Sequence, residues 1–465
     1  MPTVTSVPGV YIEEDASPMI SVSQRATAIP LFVGRFIPLD PALAGVITRI
    51  SNWLDYSTLF DTSLSSLARV GVTSTPVEPP PVDLPPKEEQ PKTVSSKAAA
   101  ISLTAEESKK YTYKINNTEV LDQMASIALR LYFQNGGGSC YLFPLEKADD
   151  KPELSALPGQ IDEVEDITLL ACPDSDETYR SAVYGALAAS LDQNKGYFLL
   201  ADSHDGKVPN GVSSSAHAAV YYPDFVMSYT RKIDDAQVAI NGYIDEAGKE
   251  VTTLAALRAV NADFAGEIDK ALADKLSTPL LIPPSSLMAG VYAKTDRERG
   301  VWKAPANVVL NGVSEVSIRV TDEQQADLNP KGINVIRHFS ARGLVVWGSR
   351  TQQDDDDWRY IPVRRLFNAA EQDIKKALLP MVFEPNSQPT WKRVQTAINN
   401  YLYNLWQQGA LAGDKEEDAY FVRIGKGITM TQDDINQGKM IIQVGMAAVR
   451  PAEFIILQFT QDMSQ

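Results

Sequence analysis

The sequence predicts a multidomain α/β protein with an extended segment near each end. Three observations carry this reading. Apolar strand-like runs alternate with amphipathic helices from Thr118 onward, a proline-rich stretch breaks the chain at Thr75–Gln90, and short strand-like patterns stand at Pro8–Asp15 and Val449–Met463. A chain of 465 residues is also too long for one small core, so two or three domains are expected.

Taken in order, Val10 and Ile12 of PGVYIEED face one way and Tyr11 the other, a strand with no hairpin partner beside it. Ala28–Phe36 is the first core strand, interrupted by Pro30, and Thr48–Phe60 is a loop or short helix carrying Trp53 and Tyr56. Prolines in TPVEPPPVDLPPKEEQ remove amide donors and favour extended backbone, which makes a linker or stiff spacer; a ligand for a proline-binding module is the weaker reading. Thr118 can cap a helix with Val120, Met124, Ile127, Ala128 and Leu131 on one face, stopping at Asn135-Gly136 before the strand CYLFPL. Strand Ile167–Pro173, helix Thr178–Leu191 and strand Gly196–Asp202 follow, the arrangement of parallel strands joined by right-handed crossovers.

Asp234–Leu276 reads mainly as helix, with a break at Gly248 left open. Leu280–Gly290 is a strand-like run broken by Pro283-Pro284, and the next stretch, YAKTDRERGVWKAPANVVLNGV, is rich in loop residues. Val335–Trp347 is a hairpin or a turn between two core strands, and Val363–Leu379 is a helix. A further helix puts Trp391, Val394, Ile398, Leu402 and Leu405 on one face and ends at Gly409.

Charge is unevenly placed. Of 43 Lys plus Arg and 59 Asp plus Glu, residues 291–465 hold 21 of each, so residues 1–290 carry 22 against 38 and the whole net charge of −16. An acidic first portion beside a balanced last one suggests two different surroundings, and the acidic balance argues against nucleic acid as a partner. No run of eighteen apolar residues exists to span a membrane, and MPTVTSVPGVY lacks the basic start and apolar block of a signal peptide. Cys140 and Cys172 are expected as buried thiols in a reducing cytosol.

Chemistry finds little footing. His204, His217 and His338 stand at no metal-ligand spacing, and Gly136–Gly138 precede a strand without the lysine of a phosphate loop. Asp354–Asp357 lack the alternation and the bend glycine of a calcium loop, so a solvated acidic loop is the better reading. Catalytic, cofactor and metal sites are therefore expected to be absent, and the chain reads as built to bind other protein.

A series of motifs in order then carries a resemblance: PGVYIEE (Pro8–Glu14), PSSLMAGVYAKTDRERGVWKAPAN (Pro284–Asn307), NPKGIN (Asn329–Asn334), VWGSRT (Val346–Thr351), WRYIPVRRLF (Trp358–Phe367), FEPN (Phe383–Asn386), Trp391, GALAG (Gly409–Gly413) and RPAEF (Arg450–Phe454). The chain resembles the sheath subunits of contractile phage tails and of related extracellular injection systems over residues 1 to about 35 and 280–465. The resemblance implies a mixed α/β sheath domain near an inner tube, an inserted outward-facing α/β domain, and extended terminal arms that add strands to a neighbour's sheet. The boundaries expected on it are an N-terminal arm at 1–25, a variable middle region at 26–74 and 98–290, a Pro-rich linker at 75–97, the sheath domain at 291–448 and a C-terminal strand arm at 449–465.

On this reading Val10, Tyr11 and Ile12 belong to the N-terminal arm, and Phe454, Ile455, Ile456 and Leu457 to the C-terminal arm. The alternative for either is an edge strand of its own domain. Arg364, Arg365, Lys375 and Lys376 are tube-facing candidates, although the two lysines also favourably end a helix. Trp302, Trp347, Trp358 and Trp391 are expected as core anchors. The implied partners are other copies of the chain in stacked hexameric rings, the inner tube, baseplate and terminator proteins, and sheath paralogues. The implied setting is the bacterial cytoplasm during assembly, then a phage tail or released particle. A non-polymerising baseplate or tail-terminator protein of the same fold is the alternative.

Overall fold

PLFVG at Pro30–Gly34 is buried on both faces, and such a run belongs in the middle of a sheet covered on both sides. The structure, a computed structural model, describes residues 21–62, 67–77, 111–121, 124–146, 151–191, 195–227, 233–454 and 456. The first elements are β1 (Pro30–Gly34), β2 (Thr48–Ile50), α1 (Trp53–Leu59), β3 (Leu67–Pro76), β4 (Tyr111–Leu121), α2 (Met124–Gln134), β5 (Cys140–Pro144) and α3 (Lys151–Asp162). There follow β6 (Leu169–Ala171), α4 (Glu177–Ala188), β7 (Phe198–Asp202), β8 (Ala218–Tyr222), β9 (Phe225–Met227), β10 (Val238–Asn241), α5 (Leu254–Val260) and α6 (Ala262–Leu276). Next come β11 (Leu280–Ile282), α7 (Ser285–Arg299), β12 (Glu315–Val316), α8 (Asp322–Leu328), β13 (Ile333–Phe339) and β14 (Gly343–Trp347). The last are α9 (Ile361–Leu378), α10 (Gln388–Gln407), α11 (Glu416–Ala419), β15 (Tyr420–Arg423), α12 (Gln432–Asn436) and β16 (Gln443–Met446).

The chain is mixed α/β and divides into two compact units, one from residues 1–61, 124–226 and 281–465, the other from 62–123 and 227–280. An eight-stranded sheet in the order β14-β13-β8-β7-β6-β1-β5-β2 organises the first unit. It is parallel from β13 to β5, and β14 and β2 close its edges antiparallel. On one face Leu157 and Ile161 of α3 and Val183 and Leu187 of α4 pack on Leu31, Leu170 and Leu199. Helices α2 and α7 pack together, and Gly290 allows it: a Cβ there would strike the Tyr132 carbonyl. A second cluster joins α9 and α10 to β15 through Leu366, Val394, Ile398, Leu402 and Val422.

In the second unit β3 pairs antiparallel with β4 and parallel with β10. Val70, Ile240, Leu257 and Ile268 form its core, and Tyr113 stacks on Tyr243 at 4.2 Å.

The strand–helix alternation of 124–202, the hairpin of β13 and β14, and helices α9 and α10 stand where the sequence puts them. Three expectations are corrected. Asp234–Leu276 is α-helix only in its second half, because Val238 and Ile240 point into the core as strand β10, turns at Gly242 and Gly248 take φ of +86° and +78°, and α-helix begins only at Leu254. Thr118 does not cap a helix; it pairs with Val70 within β4. Tyr292–Arg299 is helical, not loop: α7 is buried all round from Ser285 to Tyr292, so it offers no polar face to read. Within the expected linker, Thr75 and Pro76 end β3, and residues 78–97 lie outside the described ones. No described helix is long and apolar enough to cross a membrane.

Candidate functional site

Beyond β16 the chain stays tied to the body for a few residues. Ala412 N donates to the Ala447 carbonyl at 2.7 Å, and Val449 N to that of Ala410 at 3.2 Å. At Glu453 both carboxylate oxygens are engaged. Arg350 forks onto them, with Nε donating at 3.0 Å to Oε1 and Nη2 at 2.8 Å to Oε2. Asn329 Nδ2 adds a bond at 2.9 Å and the Tyr360 hydroxyl one at 3.2 Å. Partial burial pushes the Glu453 carboxyl up, but the bonds from Arg350 and Asn329 outweigh it and hold the group below the usual glutamate range. Past this point Phe454 and Ile456 are 71% and 82% exposed.

Arg350 is positioned from behind. Its backbone N–H donates to Asn334 Oδ1 at 2.7 Å, and Asn334 Nδ2 donates to the Val220 carbonyl of β8 at 3.1 Å. Gly348 packs so closely on Asn334 that an added Cβ would lie 2.9 Å from its Cα. Tyr360 immediately precedes α9, and Ile361 N donates to the Ser349 carbonyl.

A second arginine site lies on α9, five residues beyond Tyr360. Arg365 donates to Asp296 Oδ1 at 2.9 Å and Oδ2 at 2.5 Å, and to the Thr27 carbonyl at 2.8 Å, while the Thr27 hydroxyl donates to Asp296. Arg364 donates to Asn368 and Glu371 and lies 4.1 Å over the Trp358 ring. Beside α9 runs a groove of about 420 Å³ whose lining includes Arg25, Lys195 and Lys376. Lys195 pairs with Asp162 at 2.7 Å, Lys376 with Glu165 at 2.9 Å, and Arg25 donates to the Glu165 carbonyl, so the groove is a seam of matched charges.

Strands β15 and β16 form a sheet of two, near which Phe421 and Ile441 are 40% and Ile428 67% exposed. Among the described residues no cluster of three His, Cys, Asp or Glu could hold a metal. The Asp355 carboxylate accepts the backbone N–H groups of Asp357 and Trp358, and Arg359 pairs with Asp354, which accounts for the acidic run as a turn. Cys140 and Cys172 are buried thiols, and burial pushes both up.

Two family models cover the second half of the chain: the phage tail sheath protein central domain over residues 224–352 and the phage tail sheath C-terminal domain over 353–462. The chain is also 61% identical to chains in two structures of the anti-feeding prophage, each covering 99% of this chain and 100% of that one. These are its helical sheath in the contracted state, TM-score 0.71, and its six-fold symmetrised baseplate, TM-score 0.69. The chain belongs to the contractile tail sheath family. A chain of the contracted PVC sheath complex, an extracellular contractile injection system, is 38% identical with 99% of both chains covered and a TM-score of 0.65. The tail sheath protein of Vibrio phage KVP40 is 29% identical over 134 residues, 28% of this chain and 20% of the phage protein. The chain thus spans a minor part of that curated relative's length.

Val10, Tyr11, Ile12, Ile455 and Leu457 lie outside the described residues, while Phe454 and Ile456 are exposed. The tube-facing expectation is corrected for two residues: Arg364 and Arg365 keep only 2% and 3% of their side chains exposed, because Glu371 and Asp296 neutralise them inside the chain. Lys375 and Lys376 are exposed. Trp347 is 39% exposed rather than a core anchor. Sequence reasoning missed Glu453, Arg350, Asn329, Tyr360 and Asp296 as partners. Each stands within a quoted motif, and that common membership was the available signal.

Proposed function

We propose that this chain is the structural subunit of a contractile sheath that stacks as hexameric rings around an inner tube and shortens to drive the tube through a target envelope. The observation that carries the reading is the likeness, over almost the whole chain, to a subunit of a contracted helical sheath. The geometry supports it. A two-stranded sheet is marginal by itself and offers strand edges, and the exposed Phe454 and Ile456 belong to a segment suited to pairing with such an edge on a neighbour. Contact between unlike patches of identical subunits propagates as rings and helices. Contraction then needs only a second, tighter packing of the same bodies, with the arms still paired. About 100 Å² of extra apolar burial per subunit contributes roughly 2.5 kcal/mol, summed over every subunit of the sheath.

Partners on this reading are further copies of the chain, a tube protein, baseplate and terminator proteins and sheath paralogues, with assembly in the bacterial cytoplasm before incorporation into a tail or released particle. Likeness to a chain of the anti-feeding prophage baseplate structure favours one second reading, a baseplate component that does not polymerise. Electron microscopy of the purified protein separates the two: long tubes for the sheath, discrete rings for the baseplate component. Deleting residues 1–20 is expected to leave a folded monomer, by circular dichroism, that no longer forms ordered tubes. Normal tubes from the truncated chain would remove the N-terminal arm from the account.

A further inference from the structure

Glu453 sits where two regimes of the chain meet. Up to Val449 the backbone is zipped along Ala410–Ala412, and after Glu453 the apolar side chains of Phe454 and Ile456 stand in solvent. Between them one carboxylate accepts from three side chains that lie 124, 103 and 93 residues away in sequence: Asn329, Arg350 and Tyr360. The donors come from three separate sequence motifs, NPKGIN, VWGSRT and WRYIPVRRLF, and the acceptor from a fourth, RPAEF. A forked arginine–carboxylate bond sets direction as well as distance, since both N–H groups must stay in plane with both oxygens. This pair is also drier than an ordinary surface bridge, with side-chain exposures of 14% and 19%, against 73% and 79% for Lys415 and Glu417.

From the carboxylate, bonds continue into the body along two routes. One passes through Arg350 and Asn334 to the Val220 carbonyl in the eight-stranded sheet. The other passes through Tyr360 to the start of α9. This arrangement ties one point of the segment to both the eight-stranded sheet and α9.

We propose that Glu453 is the positioning residue of the C-terminal arm, a pin that sets where and in which direction the arm leaves the body and passes a neighbour's pull to the sheet and α9. This rests on the sheath reading above, in which that arm pairs with another subunit. Without the pin the arm still exists and still pairs, but each subunit holds its neighbour at a variable angle, and helical order is lost before folding is.

The test uses the full chain with Glu453→Gln, which keeps the size and one acceptor, Glu453→Asp, which keeps the charge but shortens the reach, and a chain ending at Glu453. In the unassembled protein, chymotrypsin cleavage after Phe454 is expected to quicken about tenfold in Glu453→Gln, with an unchanged circular dichroism spectrum. By electron microscopy, Glu453→Gln and Glu453→Asp are expected to give about tenfold fewer ordered tubes and a broadened helical rise. A merely structural role would lower the amount of folded protein without broadening the lattice. Wild-type cleavage rates in Glu453→Gln, or tubes of normal number and rise, would overturn the proposal. The truncated chain tells the two ideas apart: if it assembles normally, the arm reading itself fails, and if it fails to assemble while Glu453→Gln is normal, only the pin is lost.

Discussion

Replacing Asp296 by alanine is the most direct probe of how the sheath-family motifs are wired together. Arg365 and Asp296 are 3% and 7% exposed, and their two bonds of 2.9 and 2.5 Å join α9 to the end of α7. Removing the carboxylate leaves a guanidinium with the Thr27 carbonyl and the Tyr292 ring, 4.6 Å from its carbon, as its remaining partners. A buried charge so stripped costs about 3–5 kcal/mol. With an unfolding entropy of about 2.1 cal/mol/K per residue over 465 residues, about 4 kcal/mol lowers the melting temperature by about 4 °C if the chain melts as one cooperative body. Replacing both members, Asp296→Leu with Arg365→Met, exchanges charge for apolar volume and is expected to recover at least half of that loss, because no ion is left unpaired. Calorimetric melts of the wild type, Asp296→Leu, Arg365→Met and the double variant close the cycle, with Asp296→Ala measured beside them. If Asp296→Ala melts within 1 °C of wild type, or the single effects simply add in the double variant, the pair is not the buried lock described.

Two further outcomes follow from other buried or strained positions. Asp202 is buried, accepts from Ser285 N at 2.7 Å, and is pushed up to about 7 by burial against the opposing pull of Arg180. A raised carboxyl means the folded chain holds a proton that the unfolded chain has released. Its contribution is therefore full below about pH 4 and is lost as pH rises through 7, by up to about 4 kcal/mol. Asp202→Asn should flatten the melting temperature between pH 5 and 8, and a slope equal to wild type would contradict this. Phe383 is fully exposed at φ +74°, where a side chain costs about 1–2 kcal/mol and glycine does not. Phe383→Gly should melt at or slightly above the wild-type temperature, whereas a drop of several degrees would mean that the ring is packed.

How far the sequence could be read depended on whether an element shows water a distinct face. Helices α4 and α10 do, and their buried rows at Val183 and Leu187, or at Val394, Ile398 and Leu402, recur at helical spacing. Helix α7 shows none along its first half, so Ser285–Gly290 reads as the end of a strand-like run and Tyr292 onward as loop. The first turns of α9 mislead in the opposite way: Arg364 and Arg365 stand three and four residues after the buried Ile361, on the inward row, yet their charge alone suggests solvent. Strand order was beyond reach for a different reason. β8 and β13 are neighbours although more than a hundred residues separate them, and nothing local records that pairing. The Glu453 site shares this property, since its donors are recognisable as motif residues and only the fold discloses that they meet.

The second unit is threaded from two excursions of the chain, with β10 of the later one lying beside β3 of the earlier and α6 packing on β4. Neither excursion encloses a core without the other, so the pair is inherited together or not at all. A chimera made by a single crossover within residues 124–226 would carry half of each parent's module and mismatch its central strands. Exchange of that module between lineages therefore calls for two coordinated recombination events that spare the sheet-forming segment between them.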